Sequence, residues 1–124
     1  MRKLAMLTTA ALLALGGSSQ AACRFGDAKI YFGFESPMKG EADSGKPCGF
    51  ALSAAGSAGG RSFRIAQPPR HGAAAIGEDN AMPVVGYRSA ANYRGPDEFL
   101  VTFVGGSSRT PDQPSSIRVT LDVK

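Results

Sequence analysis

The chain has 124 residues, with 14 lysines and arginines against 10 acidic residues and a formal net charge of +4. This length suits one domain of common size. The positive charges are dispersed and are not interleaved with a stacking-aromatic motif, so nucleic-acid binding gets little support.

The N-terminus predicts a cleaved secretory signal peptide over residues 1–21. Arg2 and Lys3 form a positive start, an apolar run follows them, and small residues end the segment. This order is typical of export signals, and the run is shorter than the roughly 20 apolar residues of a transmembrane helix. Ser19 and Ala21 supply the small side chains that signal peptidase needs, so we expect cleavage after Ala21.

Export sets the expectations for the mature chain, residues 22–124. It places the protein in the periplasm or outside a bacterial cell, and it removes two positive charges, which lowers the net charge from +4 to +2. No later segment is apolar enough to span a membrane, so we expect no transmembrane segment in the mature form. Lipoprotein processing at Cys23 is an alternative, although Gln20 stands where lipid attachment usually needs a large aliphatic side chain.

Cys23 and Cys48 are the two cysteines of the chain, and both remain after cleavage. Export takes them to an oxidising compartment, so we predict a disulfide between them. In the chain-entropy model a loop of this length contributes roughly 3–4 kcal/mol. Their spacing fits neither a redox pair nor a zinc site.

Period-two alternation along the mature chain predicts β-strands. The clearest segment is 117–123, in which every second side chain is apolar. Residues 99–104 are apolar on both faces, which predicts a central strand, and the Gly-, Ser- and Pro-rich residues 105–116 predict a loop between two antiparallel strands.

Weaker alternation predicts five more strands, at residues 29–34, 48–52, 61–66, 72–76 and 84–88. In the first of these, we expect Ile30, Phe32 and Phe34 to share the buried face. Residues 37–46 carry turn signals and predict a loop. Since no stretch shows a sustained helical period, the sequence predicts an all-β, antiparallel β-sandwich of about seven strands.

One set of residues carries a resemblance to a known family. It comprises Gln67-Pro68-Pro69-Arg70-His71-Gly72, then Tyr87, and then Tyr93-Arg94-Gly95-Pro96-Asp97-Glu98-Phe99. This pattern, followed by an alternating last strand, resembles the bacterial Ig-like, cadherin-like repeat family, over about residues 63–124. The resemblance implies an Ig-like sandwich in an extracellular or periplasmic protein, where members often form tandem repeats. This chain has one copy.

We assign the motif residues fold-forming roles. They are His71, Gly72, Tyr87, Tyr93, Gly95, Asp97 and Phe99. Gly95 allows a turn conformation that is closed to other residues, and Asp97 can accept hydrogen bonds from nearby backbone N–H groups. Tyr93 can bury its ring while its hydroxyl makes a hydrogen bond, and Phe99 enters the core.

The sequence contains no evident catalytic, cofactor-binding or metal-binding set. His71 is the only histidine, no G-x-S-x-G motif is present, and both cysteines are expected to be paired. Some cadherin-like domains bind calcium, which the acidic pairs Glu78-Asp79 and Asp97-Glu98 leave open as an alternative. Catalytic carboxylates of a glycosidase are a weaker alternative. We therefore expect no enzyme and no cofactor.

These features predict an exported, non-enzymatic Ig-like domain that binds a protein or a cell-envelope component. Loops on a rigid scaffold commonly carry function, so residues 37–46 and 105–114 are the candidate contact loops. The alternatives are a structural or envelope-accessory protein with no specific ligand site, and a small periplasmic enzyme.

Overall fold

The structure is a computed structural model, and it describes residues 23–26, 29–52, 60–106, 109 and 111–124. The predicted signal peptide and the cleavage point after Ala21 lie outside the described residues. All regular structure in the described part of the chain is β-strand. That part contains no helix of the length and apolarity needed to cross a membrane.

Eight strands form two sheets. They are β1 (Cys23–Phe25), β2 (Glu35–Ala42), β3 (Cys48–Ala51), β4 (Gly60–Gln67), β5 (Gly72–Asp79), β6 (Met82–Ser89), β7 (Gly95–Gly105) and β8 (Gln113–Val123). The larger sheet has the order β1-β2-β8-β7-β4, and the smaller sheet has the order β3-β6-β5. The prediction of an all-β sandwich is confirmed, with eight strands described where about seven were expected.

The core lies between the two sheets and is built mainly on β7 and β8. The alternating side chains Val101, Ile117 and Val119 are fully buried, as their pattern predicts. From the smaller sheet, the ring of Tyr87 stacks on Phe99 of β7 with centroids 5.8 Å apart. Full burial of such a side chain contributes roughly 1.5–3 kcal/mol, so this seam holds the sandwich together.

β7 and β8 form a long antiparallel hairpin. Their register runs from Gly95 opposite Val123 to Gly105 opposite Gln113. β7 lies between β8 and β4, which confirms it as a central strand. The connection covers residues 106–112 and is shorter than the predicted loop, because β8 begins before its clear alternation does.

Residues 29–34 form a turn, and the predicted strand there is wrong. Gly33 has a φ of +89°, and the N–H of Phe34 donates to the carbonyl of Tyr31 at 3.3 Å. These two features reverse the chain direction. The side chain of Phe32 packs against the core, as expected, but Phe34 is 69% exposed.

β2 occupies most of the predicted loop 37–46, so that prediction is also wrong. Ser36 and Met38 point into the core, with 1% and 3% exposure. Because one of these buried residues is a polar serine, the sequence shows no alternation of apolar and polar residues here. β2 pairs with β8 along its length and with β1 only at residues 40–42. Pro37 is tolerated because proline suits a strand whose other side is unpaired. The β2–β8 pair is parallel, which the all-antiparallel prediction missed.

The predicted disulfide between Cys23 and Cys48 is present, with Cα atoms 5.6 Å apart. Cys23 lies on β1, at the edge of the larger sheet, and Cys48 lies on β3, at the edge of the smaller sheet. The bond therefore joins the two layers at one side, beside the packed rings of Phe25 and Phe50.

Candidate functional site

Asp97, near the start of β7, is a buried carboxylate with 5% exposure. Its Oδ1 accepts the backbone N–H of Arg70 at 3.0 Å and that of Glu98 at 2.9 Å. Its Oδ2 accepts the hydroxyl of Tyr87 at 2.7 Å. The N–H of His71 lies 3.4 and 3.3 Å from the two oxygens. Hydrogen bonds to a charged group contribute about 1.5–3 kcal/mol each, so Asp97 anchors the turn before β5.

Tyr87, on β6 of the smaller sheet, donates its side-chain hydroxyl to this cluster, and its ring is buried in the core. Burial raises the pKa of its phenol well above the ordinary value, and the hydrogen bond to the carboxylate of Asp97 raises it further. Both effects favour the protonated phenol, which is the form that donates to the carboxylate.

The other motif residues lie next to Asp97. Gly95 has a φ of +129°, which favours glycine. The half-buried Tyr93 donates its hydroxyl to the carbonyl of Pro96. Its ring stacks on the imidazole of His71, with centroids 4.0 Å apart and an interplanar angle of 7°. The structure thus brings the residues of the sequence motif into one cluster.

Gly72 belongs to this cluster for a steric reason. A Cβ at this position would overlap the backbone of Arg88 and Ser89 on the neighbouring β6. Because that contact is with backbone atoms, it cannot be relieved by a side-chain rotation. Gly72 therefore allows β5 to begin close beside β6.

A shallow depression of about 600 Å³ lies beside the motif cluster and includes His71. None of the described residues that line it is a serine or a cysteine. The hydroxyl of Thr120 donates to the carbonyl of Met38 at 3.4 Å, and the oxygens of Asp97 are taken up by donors of the fold. The hydroxyl of Thr120 and the carboxylate of Asp97 are thus both engaged in bonds within the fold.

Within the described ranges, no three His, Cys, Asp or Glu side chains are grouped so that they could hold a metal ion. The acidic pairs weighed for calcium are separated. Glu78 and Asp79 end β5, whereas Asp97 bonds to the turn before β5 begins. The expectation of no cofactor stays a prediction.

The most exposed aromatic side chains of the described part lie on the turn of residues 29–34, which we call the aromatic turn. Tyr31 is 59% exposed and Phe34 is 69% exposed. Sequence reasoning missed this site because it placed Phe34 on the buried face of a strand. Gly33, which stands between two aromatic residues, is the signal that could have revealed a turn.

Two buried serines fix the backbone of the aromatic turn. The Oγ of Ser36, 1% exposed, accepts the N–H of Tyr31 at 3.1 Å. The Oγ of Ser115, 5% exposed, accepts the N–H of Gly33 at 2.8 Å. A side chain at Gly33 would also overlap Gln113. The turn is therefore held to β2 and β8 rather than left free.

Phe32 anchors the same turn by packing its side chain against the core. Its ring packs against Phe103 in an edge-on arrangement, with centroids 6.2 Å apart. It also lies over Gly105, where a Cβ would overlap the ring. The connection between β7 and β8, part of the predicted contact loop 105–114, starts at this end of the sandwich. Residues 107, 108 and 110 of that loop lie outside the described residues.

Comparisons with known proteins identify no relative of this chain. No protein-family model matches the chain, and no curated protein matches its sequence. The resemblance to Ig-like, cadherin-like repeats therefore stays a prediction from the residues around Tyr87 and Asp97. The structure establishes the two-sheet, all-β architecture and not the family.

Proposed function

We propose that this protein is an exported, non-enzymatic binding domain that recognises a protein or cell-envelope component through the aromatic turn. The observation that carries the proposal is the exposure of Tyr31 and Phe34 on a backbone that buried serines hold in place. Export rests on the N-terminal pattern of the sequence, and the Cys23–Cys48 disulfide is compatible with an oxidising compartment. The location proposed is the periplasm or the cell exterior.

Aromatic side chains suit this role for energetic reasons. They supply a large apolar contact area, and tyrosine adds a polar end that can hydrogen-bond. Residues of this kind are enriched among the few that dominate binding energies. A backbone that is already fixed loses little conformational entropy on binding, which leaves more of the contact energy as affinity. Tyr31 and Phe34 meet both conditions.

The non-enzymatic part of the proposal has separate support. The only histidine, His71, stacks on Tyr93 beside a depression without a serine or cysteine among its described lining residues. Asp97, the buried carboxylate at that depression, is held by backbone N–H groups and by Tyr87. Such a carboxylate serves to fix the fold and is poorly placed to accept a substrate proton.

Affinity capture tests the proposal. Tagged mature protein is incubated with an envelope extract from cells that produce it, and bound components are crosslinked and quantified. The double variant Tyr31→Ser, Phe34→Ser removes both rings, while Tyr31→Phe, Phe34→Tyr keeps the aromatic area and serves as the matched control.

We expect components that the wild type and the aromatic control both enrich, and we expect the serine variant to lose that enrichment by about tenfold or more, as for hot-spot residues. Equal recovery by the serine variant would place binding elsewhere. Recovery of nothing above background by any form would count against a binding role.

A further inference from the structure

β5 forms an open edge of the smaller sheet. It pairs with β6 along all eight residues of Gly72–Asp79 and has no strand on its other side among the described residues. One row of its backbone N–H and C=O groups therefore has no strand partner there. Such a row is a ready template for another strand.

The other sheet edges are protected. β2, which β1 leaves open at residues 35–39, carries the exposed Pro37 and Lys39 there. β1 and β3 are only three and four residues long. β4 carries the exposed Arg61 and Arg64 and has irregular register at two points. Short strands, charged side chains and bulges are the usual means by which proteins prevent edge pairing. β5 has none of these over its first six residues, Gly72 to Gly77, which are uncharged and regularly paired.

The side chains of β5 would not obstruct an added strand. Ala74 and Ile76 pack against the core, whereas Ala73, Ala75 and Gly77 face solvent. These exposed side chains are too small to shield the open edge. An added strand could therefore extend the smaller sheet without displacing any part of it.

Charges at the two ends of β5 favour one particular partner. The exposed Arg70 stands just before the strand, and the exposed Glu78 and Asp79 end it. None of the three has an ion-pair partner in the described part of the chain. A second copy of β5 in antiparallel orientation would place each Arg70 beside the acidic end of the other strand. Two-fold symmetry would make this contact twice.

We propose that β5 is a self-association edge, at which two copies of this chain pair their β5 strands in antiparallel fashion. The two smaller sheets then form one continuous sheet of six strands. This surface is distinct from the aromatic turn, so dimer formation and ligand binding can be tested separately.

Sedimentation equilibrium of the mature protein tests the interface, at concentrations up to about 1 mM, where even a weak dimer is populated. The variant Ala75→Lys places a charge near the two-fold axis on each copy. Its matched control, Ala66→Lys, makes the same change at an exposed position of β4. We expect a reversible dimer for the wild type and for Ala66→Lys, and a monomer for Ala75→Lys. A wild type that is monomeric throughout, or a dimer that Ala75→Lys leaves intact, would overturn the proposal.

A charge exchange provides a second test, which does not depend on the folding of Ala75→Lys. Arg70→Glu alone, and Glu78→Arg with Asp79→Arg, should each weaken the dimer by about 2- to 30-fold, as expected for two exposed ion pairs. The triple variant restores opposite charges and should regain wild-type dimerisation. If the triple variant stays as weak as its parents, the antiparallel pairing is refuted.

Discussion

The hydroxyl of Tyr87 donates a 2.7 Å hydrogen bond to the carboxylate of Asp97, and both residues are buried. Tyr87 lies on β6 of the smaller sheet and Asp97 on β7 of the larger one, so the bond crosses the sandwich. The Cys23–Cys48 disulfide joins the sheets at one side, at β1 and β3. The Tyr87–Asp97 bond joins them a second time, between strands that lie inside their sheets.

Removing the charge of Asp97 should weaken the fold. Asp97→Asn puts an amide where four donors converge, so at least one buried N–H or O–H loses its acceptor. We expect the free energy of unfolding to fall by about 2–4 kcal/mol, measured by urea denaturation followed by circular dichroism. Asp122→Asn, at an exposed carboxylate of β8, is the control and should change stability by less than about 0.5 kcal/mol. Equal effects of the two variants would show that the bonds of Asp97 contribute nothing special.

Tyr87 should resist ionisation while the protein is folded. The folded state raises the pKa of Tyr87 through burial and through Asp97, so it holds the phenol proton more tightly than the unfolded chain does. Stability from this source is complete below the ordinary tyrosine pKa of about 10 and is lost as pH rises above it. An alkaline titration of tyrosinate absorbance should show that one of the three tyrosines ionises only on unfolding. In Tyr87→Phe this late step should be missing, and its persistence there would assign it to another tyrosine.

Loss of the disulfide should destabilise the sandwich. Cys23 and Cys48 are separated by 25 positions in the sequence, for which the chain-entropy model gives about 3–4 kcal/mol. The double variant Cys23→Ala, Cys48→Ala should show this loss in urea denaturation. Mass spectrometry of the exported wild type should find no free thiol, and two alkylated cysteines in the native protein would contradict the disulfide.

An ion-pair network on the face of the larger sheet should make the stability of the fold depend on pH in the acidic range. Arg118 of β8 binds Glu35 of β2 at 2.9 Å and Glu98 of β7 at 2.7 Å. The hydrogen bond from Arg118 lowers the pKa of Glu35. A lowered carboxyl pKa stabilises the fold above the ordinary glutamate value, and that contribution is lost as pH falls through the folded-state pKa.

The gap in melting temperature between wild type and Arg118→Gln should therefore narrow when pH is lowered from neutral to below the ordinary glutamate range. Lys39→Gln removes an exposed positive charge from β2 and provides the comparison. Its gap from the wild type should stay constant with pH. A gap for Arg118→Gln that is equally large at both pH values would mean that the pair with Glu35 does not contribute.

Parts of the fold could be predicted where one strand carries its own pattern. β8 alternates strongly because one face lies in the core, and β7 is apolar on both faces because it is a central strand, so local sequence was enough. β2 could not be recognised because Ser36 is buried, where its hydroxyl bonds the aromatic turn, and because Pro37 and Gly40 are usual in turns. The parallel pairing of β2 with β8 joins residues about eighty positions apart, which no local pattern encodes.

In the candidate site, too, local features could be predicted from the sequence and contacts between distant residues could not. The motif around Tyr93 and Asp97 could be identified from spacing, but its central contacts could not, since Arg70 and His71 lie 27 and 26 positions from Asp97. The aromatic turn was missed because a turn of alternating residues can look like a short strand. One of the contacts that hold the turn, the hydrogen bond from the N–H of Gly33 to Ser115, joins residues 82 positions apart, and no local pattern reveals it.

The most direct test of the binding role is site-specific photo-crosslinking in cells that export the protein. A photoreactive phenylalanine analogue replaces Phe34 in one form and Arg94 in another. Arg94 is exposed beside Gly95, at the other end of the β7–β8 hairpin from the aromatic turn. We predict a discrete crosslinked partner from position 34 and none from position 94. No crosslink from position 34, or the same product from both positions, would contradict recognition through the aromatic turn.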